Sequence, residues 1–191
     1  MNSNFETLTK IIKARRSIFP ASYIQKEIPK AIIEHILESA NYAPTHKLTQ
    51  PWRFVVLRDH AKKRLGEKLG ELYKEVIAEK FLQKKFDSFA EKTSKSNCIL
   101  AINIQFHPDK VPQWEEIAAV ACAVQNMALT AESLQVGTYW SSPSMIKDLG
   151  PFLNLGENEK CFGLFYMGYY DEERREAIRT PIADKIRWMD F

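Results

Sequence analysis

The chain has 191 residues, 45% hydrophobic and 27% charged, a balance that suits one globular domain over 1–191 and excludes a disordered chain. A net charge of +3 and a pI near 8.7 are too mildly basic to argue for a nucleic-acid partner. Cys98, Cys122 and Cys161 are odd in number, far apart and set among apolar residues; they read as buried reduced thiols rather than disulfides or a metal site, which fits the cytoplasm.

Met1 to Glu6 carry no charged-then-apolar leader pattern. Ser3 and Glu6 have capping-box spacing, and Phe5, Leu8, Ile11 and Ile12 then recur on one helical face. This helix runs into Arg15-Arg16-Ser17. Two cations suit the C-terminal end of a helix dipole. Two guanidinium forks with a hydroxyl equally suit a phosphate, and the residues alone leave both readings open.

Pro29 suits the first turn of a second helix, with Ile32, Ile33, Ile36, Leu37 and Ala40 as its buried stripe and His35 on its surface. Pro44 and Pro51 then bracket a stiff polar loop that presents Thr45, His46, Lys47, Thr49 and Gln50. Taken alone it is a helix-to-strand connection with solvated tips. Trp52 to Arg58 reads as a strand, and Asp59 as the cap of the next helix. Residues 61–93 read as two helices, with Leu65, Leu69, Leu72, Val76 and Ile77 as an apolar face. The run Lys80 to Phe86 is a solvated face with apolar anchors in preference to a membrane or calmodulin-binding segment, and this region has the length to cover a pocket.

Cys98 to Phe106 is a second strand, alternating apolar and polar near its end. Trp114 to Gln135 is a helix whose apolar residues go most of the way round, the pattern of full burial. In a chain this small that points to a subunit interface as well as a core. Its uncharged run, Ile117 to Ala131, holds Gln125, Asn126 and Thr130 and is too short and polar to span a bilayer. Gly137 is the expected helix stop. Thr138 to Trp140 is a short strand leading to Ser141-Ser142-Pro143, Ser144 opens a helical turn, and Lys160 to Met167 is a strand closing on Gly168. A charged tail, Asp171 to Glu176, precedes a return to apolar pattern up to Ile186. Strands scattered among helices without regular βαβ alternation indicate an α+β fold, a central sheet flanked by helices. His60 and His107 read as structural or solvated, no zinc-type spacing occurs, and no Gly-rich phosphate loop is present.

Arg15-Arg16-Ser17 after an N-terminal helix resembles the opening signature of the nitroreductase-like flavoenzymes. Ala43-Pro44-Thr45-His46-Lys47-Leu48-Thr49-Gln50-Pro51-Trp52-Arg53-Phe54 is similar to their second signature, in the His-Lys form of a compact subgroup. The buried helix ending at Gly137, the strand ending at Trp140, and Arg179-Thr180-Pro181-Ile182 also resemble family elements in the family's order. The resemblance implies a mainly antiparallel sheet, an intertwined homodimer and two FMN sites at the interface. It implies that Arg15, Arg16 and Ser17 meet the FMN phosphate, ribityl chain and ring edge, that His46 and Gln50 come from the other subunit, and that Trp140, Ser141 and Ser142 lie along the isoalloxazine. Arg179 would be a second phosphate ligand. Leu48 stands where many relatives have asparagine, and Ser141 where the compact subgroup can carry a basic residue.

The activity implied is two-electron, ping-pong reduction of nitroaromatic or quinone-like acceptors with NAD(P)H as transient donor. Flavin N5 carries the chemistry and no catalytic side chain is required. Flavin fragmentation or reductive dehalogenation on the same fold is the alternative, and a basic non-enzymatic module using Arg15, Arg16 and the lysines of the 80s is the alternative outside enzymology.

Overall fold

Four strands organise the computed structural model, which describes residues 2–76, 81–173 and 175–190. Of the residues singled out above, Met1, Ile77, Lys80 and Arg174 lie outside these. The strands are β1 (Trp52–Leu57), β2 (Cys98–Gln105), β3 (Gly137–Ser141) and β4 (Glu159–Gly168), in the order β1-β2-β4-β3, with every neighbour antiparallel. The helices are α1 (Ser3–Ala14), α2 (Lys30–Ala40), α3 (Asp59–Val76), α4 (Gln83–Lys95), α5 (Gln113–Ser133) and the single turn α6 (Gly150–Leu153). This is the α+β architecture that the element order indicates.

Both faces of the sheet are covered. Cys98, Leu100, Ile102 and Ile104 of β2, with Phe165 and Met167 of β4, pack against α2 and α5. Ile99 and Ala101 of β2, with Leu164 and Tyr166 of β4, pack against α3, α4 and the turn Ser144–Leu149. A central strand covered on both sides reads as a continuous apolar run, because neither parity of its side chains meets water. The polar residue near the end of β2 therefore marks no exposed face: Asn103 is fully buried, and its Nδ2 donates to the Ala101 carbonyl at 3.4 Å. Ile102 pairs with Gly163 and Asn103 with Cys161, so Phe162 is the extra residue of a β-bulge.

Three local expectations are corrected. Asn2, not Ser3, caps α1, accepting from the Asn4 amide at 2.9 Å. Gly137 does not end α5. Gln135 takes the left-handed position with φ 58°, while its amide bonds the Glu132 carbonyl and that of Val136 bonds Ala131, a Schellman closure. Nor is α5 buried all round. Ala119, Val120, Ala123, Val124, Met127, Ala128 and Ala131 are buried, whereas Trp114, Ile117 and Cys122 are exposed. Likewise, α1 buries none of its residues, and Phe5, Leu8 and Ile12 are about half exposed. The apolar periodicity of α1 was read correctly, but its face is not buried among the described residues, and α5 is buried on one side rather than all round.

Candidate functional site

Arg15-Arg16-Ser17 leaves α1 and runs along the free edge of β3. Ser17 forms a parallel bridge with Thr138, and the Ile18 amide donates to the Thr138 carbonyl at 2.9 Å. Tyr23 fixes this segment from below, donating its hydroxyl to the Ile18 and Tyr166 carbonyls at 2.8 and 3.0 Å. Burial, with a smaller contribution from Tyr166, pushes the Tyr23 phenol well above its ordinary pKa, so it remains a hydrogen-bond donor at neutral pH. Gly168 makes that approach possible: a Cβ there would sit 2.5 Å from the Tyr23 ring.

The two arginines are differently employed. Arg16 Nη1 donates to the Lys13 and Arg15 carbonyls at 2.7 and 2.9 Å, and its Nε to the Arg175 carbonyl at 2.8 Å. It closes the C-terminus of α1 and holds the tail. The Arg15 guanidinium makes no hydrogen bond or ion pair among the described residues, and neither do the hydroxyls of Ser17, Ser141 and Ser142. Trp140 Nε1 is buried without a partner. Its indole lies on Gly163, where a Cβ would fall 2.7 Å from Cδ1, and packs edge-on against Phe162, the bulge residue, at 5.6 Å and 61°. From Arg15 to Ser142, unspent donors thus line one edge over roughly 15–20 Å at strand spacing. A cation at one end and an aromatic ledge at the other suit an elongated phosphate-bearing ligand with a flat ring. This donor set fits FMN.

The proline loop is at the opposite corner. Counting three strand spacings across and six residues along from Thr138 to Trp52 gives roughly 25 Å, beyond any side chain's reach. The structure therefore does not bring His46 and Gln50 to Arg15 and Ser17 within one copy. The loop is strained and braced: Lys47, Leu48 and Gln50 have φ of 48°, 52° and 43°, each costing about 1–2 kcal/mol for a residue with a Cβ. Thr45 Oγ1 accepts from the Gln50 amide at 3.0 Å, Lys47 Nζ donates to the Lys110 carbonyl at 2.8 Å, and Arg53 Nη1 donates to the Gln50 carbonyl at 2.9 Å. His46 Nδ1 lies 2.5 Å from Glu115 Oε2 in the first turn of α5. With Pro44, Thr45, Trp114, Ala118, Ala119 and Cys122 they line a groove of about 450 Å³. Leu48 is exposed and takes no part. Arg179 lies in the exposed tail, and among the described residues its guanidinium donates only to the neighbouring Ile178 carbonyl.

Glu115 and Arg53 did not stand out in the sequence. Glu115 is 69 residues from His46, and an acid in a helix's first turn is ordinary. Elsewhere, His107 Nδ1 pairs with the buried Glu116 at 2.7 Å, tying the end of β2 to α5. Among the described residues no cluster of His, Cys, Asp or Glu is placed to hold a metal, and no helix is long and apolar enough to cross a membrane.

Residues 12–169 match the Nitroreductase family model. Over 184 residues the chain is 28% identical to YfhC of Bacillus subtilis strain 168, a candidate NAD(P)H nitroreductase, covering 95% of this chain and 94% of that one. It is 29% identical over 205 residues to an iodotyrosine deiodinase of Nematostella vectensis, covering 92% and 72%. A candidate nitroreductase from Desulfovibrio desulfuricans, solved in complex with FMN, superposes with a TM-score of 0.76 at 22% identity over 100% of this chain and 99% of that one.

Proposed function

The chain belongs to the nitroreductase family, and we propose that it is an FMN-dependent oxidoreductase that reduces nitroaromatic or quinone-like acceptors with NAD(P)H. The observation that carries the reading is the row of unspent donors along the edge of β3. In it the side chains of Arg15, Ser17, Ser141 and Ser142 have no hydrogen-bond partner among the described residues, beside the Trp140 ring on Gly163. The solved relative bound to FMN supports the same cofactor.

Arg15 would hold the phosphate and Ser17 the ribityl chain, while Trp140, Ser141 and Ser142 would flank the ring. Arg16 supports the turn that presents them, through its bonds to Lys13, Arg15 and Arg175. When bound, FMN supplies the two-electron redox chemistry between nicotinamide and acceptor. The side chains orient it and set the field around it. Arg179 belongs to the proposal as a second phosphate ligand delivered by the tail.

The active unit is a homodimer. His46 and Gln50 are too far from Arg15 to meet the same ligand in one copy, so the partner's loop would complete the site. The exposed apolar residues of α1 and α5, together with Ile178, Ile182, Trp188 and Met189 of the tail, are the surface such a dimer would bury. Exposed apolar patches on this scale mark interfaces. The domain extends over the whole chain, 1–191, with its tail as part of that interface.

One cleft above one ring leaves room for donor or acceptor but not both, and no dinucleotide-binding loop is present in the sequence to retain the donor. Donor departure would therefore precede acceptor entry. Initial rates at varied NAD(P)H and several fixed acceptor concentrations should give parallel double-reciprocal lines; intersecting lines would mean a ternary complex and refute the shared cleft. Reductive dehalogenation is the second reading, favoured by the similarity to the deiodinase. Halide release from a halophenol with NAD(P)H, in the absence of nitroarene reduction, would select it.

A further inference from the structure

His46 and Glu115 come from different elements and meet at the mouth of the groove beside α5. His46 sits on the strained loop with its side chain 58% exposed, and Glu115 on a rigid helix with its side chain 21% exposed. Glu115 lies in the first turn of α5, where the helix dipole favours a carboxylate. His46 Nδ1 faces that carboxylate at 2.5 Å, so Nε2 is the ring nitrogen left for anything that enters from outside. Lys47, next in sequence, is anchored to the Lys110 carbonyl, which fixes the loop backbone but not the imidazole. We propose that Glu115 is a positioning residue: it holds the Nδ1–H of His46 and so presents Nε2 to the ligand that this loop helps to bind.

The inference rests on the reading that His46 meets FMN across the dimer interface. A surface ion pair alone contributes little. This pair differs because one member is rigidly placed and the other must choose between two ring nitrogens, and a carboxylate on one nitrogen decides which remains available. Ser141, across the site, brings no charge, so the orientation of His46 matters more here than it would beside a basic residue.

The test is a double-mutant cycle on FMN affinity, read by fluorescence titration of the apoprotein, with thermal melting as the control for folding. Glu115→Ala should weaken FMN binding about tenfold, the factor carried by one lost charge-assisted hydrogen bond. Glu115→Gln, which keeps an acceptor, should recover most of it. In the His46→Ala background Glu115→Ala should have no further effect, since Glu115 acts only through the ring. Nitrogen-15 NMR of the apoprotein should find His46 protonated at Nδ1 in the wild type and distributed over both nitrogens in Glu115→Ala. Loss on His46→Ala but none on Glu115→Ala, additive losses, or an unchanged His46 spectrum would each overturn the inference. A wild-type protein that binds no FMN would instead overturn the proposed function.

Discussion

Gly163→Ala tests the ledge at the heart of the site. Gly163 has no positive φ, so alanine fits the backbone, and loss of glycine flexibility in the unfolded chain would by itself stabilise by about 0.4–1 kcal/mol. Against this, the new methyl would occupy the place of the Trp140 indole, falling 2.7 Å from Cδ1 and 3.2 Å from Cε2. The indole cannot retreat freely, because Phe162 packs against it. Overpacking of this kind costs about 1–3 kcal/mol, so the clash wins and the net loss is about 1–2 kcal/mol. For a chain of 191 residues that lowers Tm by about 2–8 °C. Circular dichroism melts would measure it, and FMN titration should reveal weakened binding as well, since Trp140 is displaced. A Trp140→Ala, Gly163→Ala double variant should show less than the sum of the two losses, because removing the indole removes the clash. A Gly163→Ala protein with unchanged Tm and unchanged FMN affinity would refute the placement of Trp140 on Gly163.

Arg15→Ala should weaken FMN binding about tenfold to a hundredfold, the worth of a charge-assisted bond, with Tm unchanged because that guanidinium has no hydrogen-bond or ion-pair partner among the described residues; Arg16→Ala should lower both affinity and Tm, since three carbonyls lose their donor. Light scattering across a dilution series should find a dimer throughout, as expected for an interface above roughly 2,000 Å², with Cys122 protected from thiol reagents in the native protein; a stable monomer that retains FMN would contradict the shared site. Burial pushes the Cys98 thiol up to about 12 and the Cys161 thiol up to about 11, and raises the phenols of Tyr23 and Tyr166. These groups stay protonated in the folded chain where the unfolded chain has begun to ionise, so they favour the folded state fully below pH 9 and less as pH rises towards 11–12. The urea midpoint should fall between pH 9 and 11, and a flat profile would argue against their burial.

Local pattern carried most of the fold. Each strand lay within a residue or two of its expected place, since β-branched runs between turn signals leave little choice. Residues 61–93 did divide into two helices, α3 and α4. The left-handed turn at Gln135 escaped because glycine two residues later looked like the natural stop. The polar residue in β2 misled because Asn103 bonds within its own strand, which no periodicity reports. At the site, Arg15 and Arg16 were legible as a pair, but not their division of labour, which depends on the path of residue 175 past the end of α1. The approach of Glu115 to His46 arises from the packing of α5 beside the proline loop. The exposed apolar residues of α1 and α5 followed from periodicity, but what covers them is not written in the sequence of one chain.

The most direct test of the central claim is the absorption spectrum of the purified protein reconstituted with FMN under anaerobic conditions, before and after one equivalent of NADH or NADPH. The account predicts a bound-flavin spectrum that bleaches on adding the nicotinamide and returns on adding a nitroarene or quinone. Failure to retain FMN, or a bound flavin that neither nicotinamide reduces, would contradict it.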